Sequence, residues 1–176
     1  MIKLIMSIDQ NYGIAKEGKL AYSSKTDLKR FKLLTNNSTI VMGRKTWDSL
    51  PQKPLKKRHN LVYSKNKELQ DNNNFSFKDQ PFFFDNFKEM FFYWVNHLYI
   101  GLDHNLWIIG GNSVIEEYFS LIQEFHITEF QANFGCDTFC NKLKELKNKD
   151  KFKIIQNDYI SPDNEISHKY IVYKRI

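Results

Sequence analysis

Apolar positions along this chain follow two rhythms. Short, nearly continuous apolar runs at residues 1–8, 38–42, 60–64 and 106–109 predict strands buried on both faces, as in a parallel sheet. Between them the period lengthens to that of a helix. Phe87, Met90, Phe91, Trp94, Val95 and Leu98 form one i, i+3, i+4, i+7 stripe, predicting a helix from an Asp85 cap to Leu98, with Phe92 and Tyr93 off the stripe. Further helices are predicted over 25–34 and 113–122, and a short one over 43–50 is stopped by Pro51. Residues 125–131 alternate in part and read as a strand. Residues 152–159 and 169–173, separated by Ser161-Pro-Asp-Asn164, read as an antiparallel hairpin. The polar stretches at 11–18, 65–74 and 142–151 read as loops, and Phe75-Ser-Phe77 as a small strand. About eight strands interleaved with four helices predict an α/β fold, one domain over residues 1–176 with a mainly parallel sheet and a C-terminal antiparallel hairpin.

Charge narrows the choice of partner. The net charge of +6 favours anionic ligands, but the cations are spread along the chain, which argues against nucleic acid. The first eight residues, interrupted by Lys3, are too short for a signal peptide or membrane span, so no membrane partner is expected. Cys136 and Cys140 lack C-x-x-C spacing and read as reduced structural thiols, which points to the cytoplasm, a host's cytoplasm if the source is viral. No metal site is expected.

Three places carry candidate chemistry. Ser24 and Asp27 have S-x-x-D spacing, so Ser24 caps a helix on which Asp27 and Phe31 share a face beside Leu28; Phe31 and Leu28 are expected to point at the core and draw Asp27 toward it. The plain alternative is a first-turn acid facing the helix dipole. Gly110-Gly111 sits between a strand and a helix, where backbone N–H groups meet phosphate, although a bare turn is equally compatible. Gly43-Arg44-Lys45-Thr46 occupies the same kind of turn and adds two cations. Arg58 follows Pro54-Leu55, a bend that could aim it at a carboxylate.

These residues, with Ile2–Ile8, Gly13-Ile14, Asp27-Leu28 through Phe31-Lys32, Thr39-Ile-Val-Met-Gly-Arg-Lys-Thr-Trp47, Trp107-Ile-Ile-Gly-Gly111 and Asp137-Thr-Phe139, resemble the dihydrofolate reductase family almost end to end. The resemblance implies a central eight-stranded sheet with four flanking helices, NADPH as hydride donor and dihydrofolate as substrate, with antifolates as further ligands. Asp27 would grip the pterin amidine edge, with Leu20 and Tyr22 beside a proton-donating water. Ile5, Ser7, Leu28, Phe31, Ser49, Leu50, Leu55 and Ile109 would form the substrate pocket, Ile5 and Ser7 through backbone carbonyls. Arg58 would pair with the glutamate α-carboxylate, and Thr128 would hydrogen-bond Asp27. Gly13, Ile14, Ala15, Gly18, Lys19, Gly43, Lys45, Thr46, Ser64, Lys65, Gly110, Gly111, Asn112, Ser113, Val114 and Ile115 would line the cofactor, along with Ser7 and Ile109. Arg44 would clamp the adenosine 2′-phosphate.

The chain also departs from the family. Leu20-Ala21-Tyr22 stands where Leu-Pro-Trp is usual, which makes the Tyr22 hydroxyl the candidate to hold the water. Ala15 replaces a usual Gly and stiffens the lid loop. Asn112-Ser113 stands where many members carry Arg. The ending at Ile176 implies no fused thymidylate synthase, and a monomer is expected, with Phe92 and Tyr93 the one candidate contact surface. A same-fold reductase of another pterin or pyrimidine, of the riboflavin-pathway type, and a non-catalytic binding protein stay open as alternatives.

Overall fold

The computed structural model describes residues 1–66, 80–98 and 105–176. Its strands are β1 (Ile2–Ile8), β2 (Gly13–Lys16), β3 (Lys19–Leu20), β4 (Thr39–Gly43), β5 (His59–Tyr63), β6 (Pro81–Phe84), β7 (Leu106–Gly110), β8 (Glu124–Phe130), β9 (Thr138–Phe139), β10 (Phe152–Ile160) and β11 (His168–Arg175). The α-helices are α1 (Lys25–Thr35), α2 (Arg44–Ser49), α3 (Phe87–Tyr93) and α4 (Asn112–Tyr118). Eight strands form one sheet in the order β10-β11-β8-β1-β7-β4-β5-β6. Every pair from β8 to β6 is parallel, and β11 is antiparallel to both β8 and β10. Parallel strands need cover on both faces. One face packs into the larger core, with Leu4, Val41, Ile108, Phe125 and Ile127. The other packs a smaller cluster of Ile5, Ile40, Met42, Val62 and Trp107.

Several expectations change. The segment at 11–18 is not a plain loop: β2, β3 and β9 form a small second sheet in the order β3-β2-β9. Buried Asp9 organises it, accepting backbone N–H bonds from Asn11 (2.8 Å), Gly13 (2.8 Å) and Phe134 (3.4 Å). Burial pushes the Asp9 carboxyl up, but these donors and the Cys136 thiol outweigh it and hold it below the usual carboxylate range. The helix expected from Asp85 is capped by Asn86, whose side chain accepts from the Glu89 N–H at 2.8 Å. After Tyr93 it widens into a π turn, Trp94–Leu98. That extra residue shifts the stripe: Met90, Trp94 and Leu98 are buried, whereas Phe91 and Val95 are exposed. Of the two residues expected off the stripe, Tyr93 stacks on Phe82 at 4.0 Å, and Phe92 is left outside, 67% exposed.

The charged run after Lys142 is not wholly a solvated loop. Asn141–Lys147 is a 3-10 helix whose Leu143 and Leu146 are buried, because i and i+3 eclipse in that helix. The strand expected at 75–77 lies outside the described residues. Edge strand β6, unread in the sequence, begins at Pro81, a position where the missing N–H costs no ladder bond.

Candidate functional site

The site starts with the parallel pairing of β1 and β8. Their register puts Ser7 opposite Thr128, so both hydroxyls stand on one face of the sheet. Helix α1 lies over that face and brings Asp27 to them. Ser7 Oγ donates to Asp27 Oδ2 at 2.6 Å, and Thr128 Oγ1 donates to Oδ1 at 2.5 Å. Ser24 caps the helix by accepting the Asp27 N–H at 3.1 Å. A capping box would turn the Asp27 carboxylate back on Ser24. Here it points to the sheet, and a distant acid joins Ser24 in the cap. Glu165, between β10 and β11, accepts from Ser24 Oγ (2.5 Å), Lys25 N (2.9 Å) and Thr26 N (3.4 Å). The Ser24 hydroxyl bond, with the two N–H groups, holds the Glu165 carboxyl below its ordinary range. The chain therefore offers Asp27 to the site and draws part of the helix cap from elsewhere.

Leu20, Ala21, Tyr22, Ile14 and Phe134 line an open cleft together with Ser7 and Gly13. Tyr22 stacks on Phe134 at 5.0 Å and meets Phe130 edge-on. Its phenol oxygen accepts the Ile166 N–H at 3.2 Å, and a phenol that accepts there keeps its own O–H for donation. Leu28 does not point at the core: it is 45% exposed, as is Leu20 at 54%, beside this cleft rather than under it. Phe31, Leu50, Leu55 and Ile109 do share one apolar wall, packed on Ile5, Ile40, Met42, Val62 and Trp107. Ile109 stands at an irregularity in the β4–β7 ladder, where Val41 pairs with Ile108 and Met42 with Gly110. Its side chain keeps the alternation, on the face of Trp107 and opposite Ile108.

Arg58 closes the far end of the wall. Its Nε donates to Thr35 Oγ1 at 2.8 Å, and its terminal nitrogens donate to the carbonyls of Lys56 (2.8 Å) and Lys32 (3.3 Å). Burial pulls its pKa below the ordinary guanidinium value. Three of five N–H groups are thereby used to hold it against the C-terminal turn of α1, and two remain for an anion.

On the other side of the sheet's centre, the two strand-to-helix turns press together. A Cβ on Gly111 (φ +84°) would meet Gly43 Cα at 3.2 Å, and one on Gly110 (φ +144°) would meet Thr46 Oγ1 at 3.2 Å. Arg44 and Lys45 open α2 and are exposed; Arg44 pairs with Asp48 at 3.1 Å. Ser49 Oγ donates to the Thr46 carbonyl at 2.8 Å. The side chains of Val114 and Ile115 are buried in the core, so only their backbone can face a ligand. Asn112 donates to Glu116 at 2.9 Å, while Ser113 is exposed. Ser64 is buried and accepts the Asn66 N–H, with Lys65 exposed beside it. Gly18 (φ +72°) and Lys19 sit at the exposed tip between β2 and β3, and Ala15 pairs with Leu20.

Ser7's hydroxyl, Glu165 and the Phe134 wall were not legible as site features. Ser7 had a signal, its one-sided position in an otherwise apolar strand; Glu165 had none, since it lies about 140 residues from what it caps.

This architecture, with its acid over β8 and β1 and its paired glycine turns at the ends of the neighbouring strands β7 and β4, is that of the dihydrofolate reductase fold. A solved structure of the Enterococcus faecalis dihydrofolate reductase, complexed with NADP(H) and RAB-propyl, superposes with a TM-score of 0.79 over 99% of this chain and 96% of that one, at 24% identity. The dihydrofolate reductase family model matches residues 1–175. The viral dihydrofolate reductase of Saimiriine herpesvirus 2 is 32% identical over 196 residues, covering 99% of this chain and 82% of that protein. The bifunctional dihydrofolate reductase-thymidylate synthase of Paramecium tetraurelia is 30% identical over 142 residues, 79% of this chain. The chain spans about a quarter of the length of some curated relatives it matches, 28% in the Paramecium protein. The chain belongs to the dihydrofolate reductase family.

Proposed function

We propose that this chain reduces 7,8-dihydrofolate to 5,6,7,8-tetrahydrofolate with NADPH, and so supports thymidylate synthesis and one-carbon metabolism. The observation that carries the reading is the Asp27 carboxylate, oriented by Ser7 and Thr128 at the end of an apolar wall. Each hydroxyl uses one lone pair of one oxygen. The remaining lone pairs suit two adjacent N–H donors, the pattern of a pterin amidine edge. Ile5, Phe31, Leu50, Leu55 and Ile109 would sandwich the flat ring and the benzoate. The two spare N–H groups of Arg58 would take the glutamate α-carboxylate. Antifolates with the same amidine edge would occupy the same pocket.

The residues present also fit a phosphorylated dinucleotide. Gly43, Gly110 and Gly111 leave a bare backbone surface that a Cβ would fill. Arg44 and Lys45 stand beside it as cations for the 2′-phosphate of NADPH, whose chemical contribution when bound is a hydride. The substrate's N5 lies away from the edge that Asp27 grips. Its proton therefore comes from water on the Leu20–Tyr22 side, which the Tyr22 O–H can orient. The whole site is drawn from one chain, which fits a monomer. Free Cys136 and Cys140 fit a reducing compartment such as the cytoplasm. Among the described residues no helix is long and apolar enough to cross a membrane.

The test is direct. NADPH absorbance should fall on adding dihydrofolate to the protein. Folded protein at high concentration that leaves the absorbance unchanged would overturn the reading.

A further inference from the structure

A helix leaves its first N–H groups without partners inside the helix. In α1 those of Lys25, Thr26 and Asp27 are all taken. Ser24 Oγ accepts the Asp27 N–H at 3.1 Å. Glu165 Oε1 accepts from Lys25 N at 2.9 Å, and its Oε2 accepts from Thr26 N at 3.4 Å and from Ser24 Oγ at 2.5 Å. The Leu28 N–H then opens the helical ladder on the Ser24 carbonyl at 2.9 Å.

This arrangement bears on Asp27. An acid three residues after the cap residue turns back on the helix start, drawn by free N–H groups and by the helix dipole. Glu165 already supplies the acceptor and the negative charge that this end of the helix attracts. The Ser24 hydroxyl and the N–H groups of Thr26 and Lys25 outweigh its desolvation and hold the Glu165 carboxyl below its ordinary range, so it is ionised near neutral pH. A second carboxylate at the same helix end would meet like charge. Asp27 turns instead to Ser7 and Thr128, at 2.6 and 2.5 Å.

The connection that carries Glu165 is itself held. The Glu165 N–H donates to the Pro162 carbonyl at 3.3 Å, and Gln131 N, just beyond β8, donates to the Ser167 carbonyl at 3.0 Å. Between them Ile166 N donates to the Tyr22 phenol at 3.2 Å. The carboxylate therefore reaches α1 from a backbone fixed on both sides of it in sequence.

We propose that Glu165 is a positioning residue: by occupying the start of α1 it keeps the Asp27 carboxylate turned to Ser7 and Thr128, the orientation in which it can meet the substrate's amidine edge. It acts through Asp27. The consequence for substrate rests on the function proposed above; the consequence for the Asp27 side chain does not. Without Glu165 the carboxylate gains a second resting place at the helix start, and only the fraction turned to the sheet is competent to bind. Apparent affinity falls by that fraction, whereas the rate at saturation does not, because bound substrate draws the carboxylate back.

The test compares wild type, Glu165→Ala and Glu165→Gln in the full chain. Glu165→Ala should raise the KM for dihydrofolate about 3- to 10-fold, with kcat changed by less than about twofold. The Kd for NADPH, from a fluorescence titration, should not move. Glu165→Gln should return the KM most of the way to wild type, because its amide oxygen accepts the Lys25 N–H and its NH2 donates to Ser24 Oγ. An unmoved KM in Glu165→Ala overturns the proposal. So does a parallel loss of dihydrofolate affinity, NADPH affinity and kcat, which a merely loosened fold would give. A crystal structure of Glu165→Ala supplies a readout free of turnover, in which the Asp27 carboxylate should divide between the sheet and the helix start. An Asp27 still wholly on Ser7 and Thr128 overturns the proposal. A wild type that does not oxidise NADPH with dihydrofolate would sink the proposed function and leave that crystal structure to decide Glu165.

Discussion

The two parts of the candidate site, the Asp27 end and the glycine-turn end, are built in opposite ways. At the acid end, the proposed function rests on a side chain, and several elements distant in sequence hold it: β1 and β8 supply hydroxyls 20 and 101 residues from Asp27, and the β10–β11 connection supports the cap of its helix. At the glycine end, the proposed function rests on bare backbone, and the packing turns on the absence of side chains where β4 and β7 turn into α2 and α4. The first end should tolerate isosteric change in fold but not in chemistry. The second should fail as soon as volume is added, whatever the chemistry of the added group.

Asp27→Asn is the sharpest break at the acid end. An amide still offers one oxygen to a hydroxyl and an NH2 that the other hydroxyl can accept, so stability should change by only about 1–2 kcal/mol. Hydride transfer at neutral pH should nevertheless fall by about 10²-fold or more, and recover steadily toward low pH as solvent supplies the proton. Stopped-flow single turnovers across pH give the answer. A near-normal rate at pH 7 would reduce Asp27 to a helix-start acid.

Gly111→Ala is the matching break at the other end. A methyl at φ +84°, 3.2 Å from Gly43 Cα, meets backbone that cannot swing away. Overpacking and left-handed strain together should cost about 2–4 kcal/mol. Thermal unfolding should show the loss, and a fluorescence titration should show weakened NADPH binding. Unchanged values for both would mean the turns are not pressed together as described.

Arg58→Leu sharpens the comparison, since Arg58 belongs to the side-chain end but is partly consumed by structure. Losing a charge-assisted pair should weaken dihydrofolate about 10- to 100-fold. A pterin without the glutamate should be affected far less. Equal weakening of both would assign Arg58 wholly to holding α1.

The smallest effect concerns Glu165. The Ser24 hydroxyl and the two backbone N–H groups depress its pKa in the folded protein, so its capping contribution is present above the ordinary glutamate value of 4.5 and is lost as pH falls through the lower folded value. Glu165→Gln should therefore melt slightly below wild type at pH 7, and the gap in Tm should close on acidification below about pH 4.5. A gap that is constant with pH would show that charge plays no part in the cap.

Much of this was legible in the chain itself. Short, continuous, β-branched apolar runs read as strands covered on both faces, so the parallel sheet followed from local pattern, as did the hairpin signalled by Ser161-Pro-Asp-Asn164. Gly43 and Gly110-Gly111 announced themselves because a glycine after a strand is a local backbone statement. Asp27 stood out as an acid among apolar neighbours, but its spacing from Ser24 suited a cap equally well. Only the tertiary structure shows the carboxylate turned to the sheet instead of back on Ser24, because the contacts come from Ser7, Thr128 and Glu165, and no local pattern encodes which hydroxyls a parallel register will set side by side. Glu165 itself is an ordinary surface acid in sequence, and it gains its place through Ser24, 141 residues away at the start of α1. Periodicity is a property of neighbours along the chain, whereas the site is a property of neighbours across the sheet.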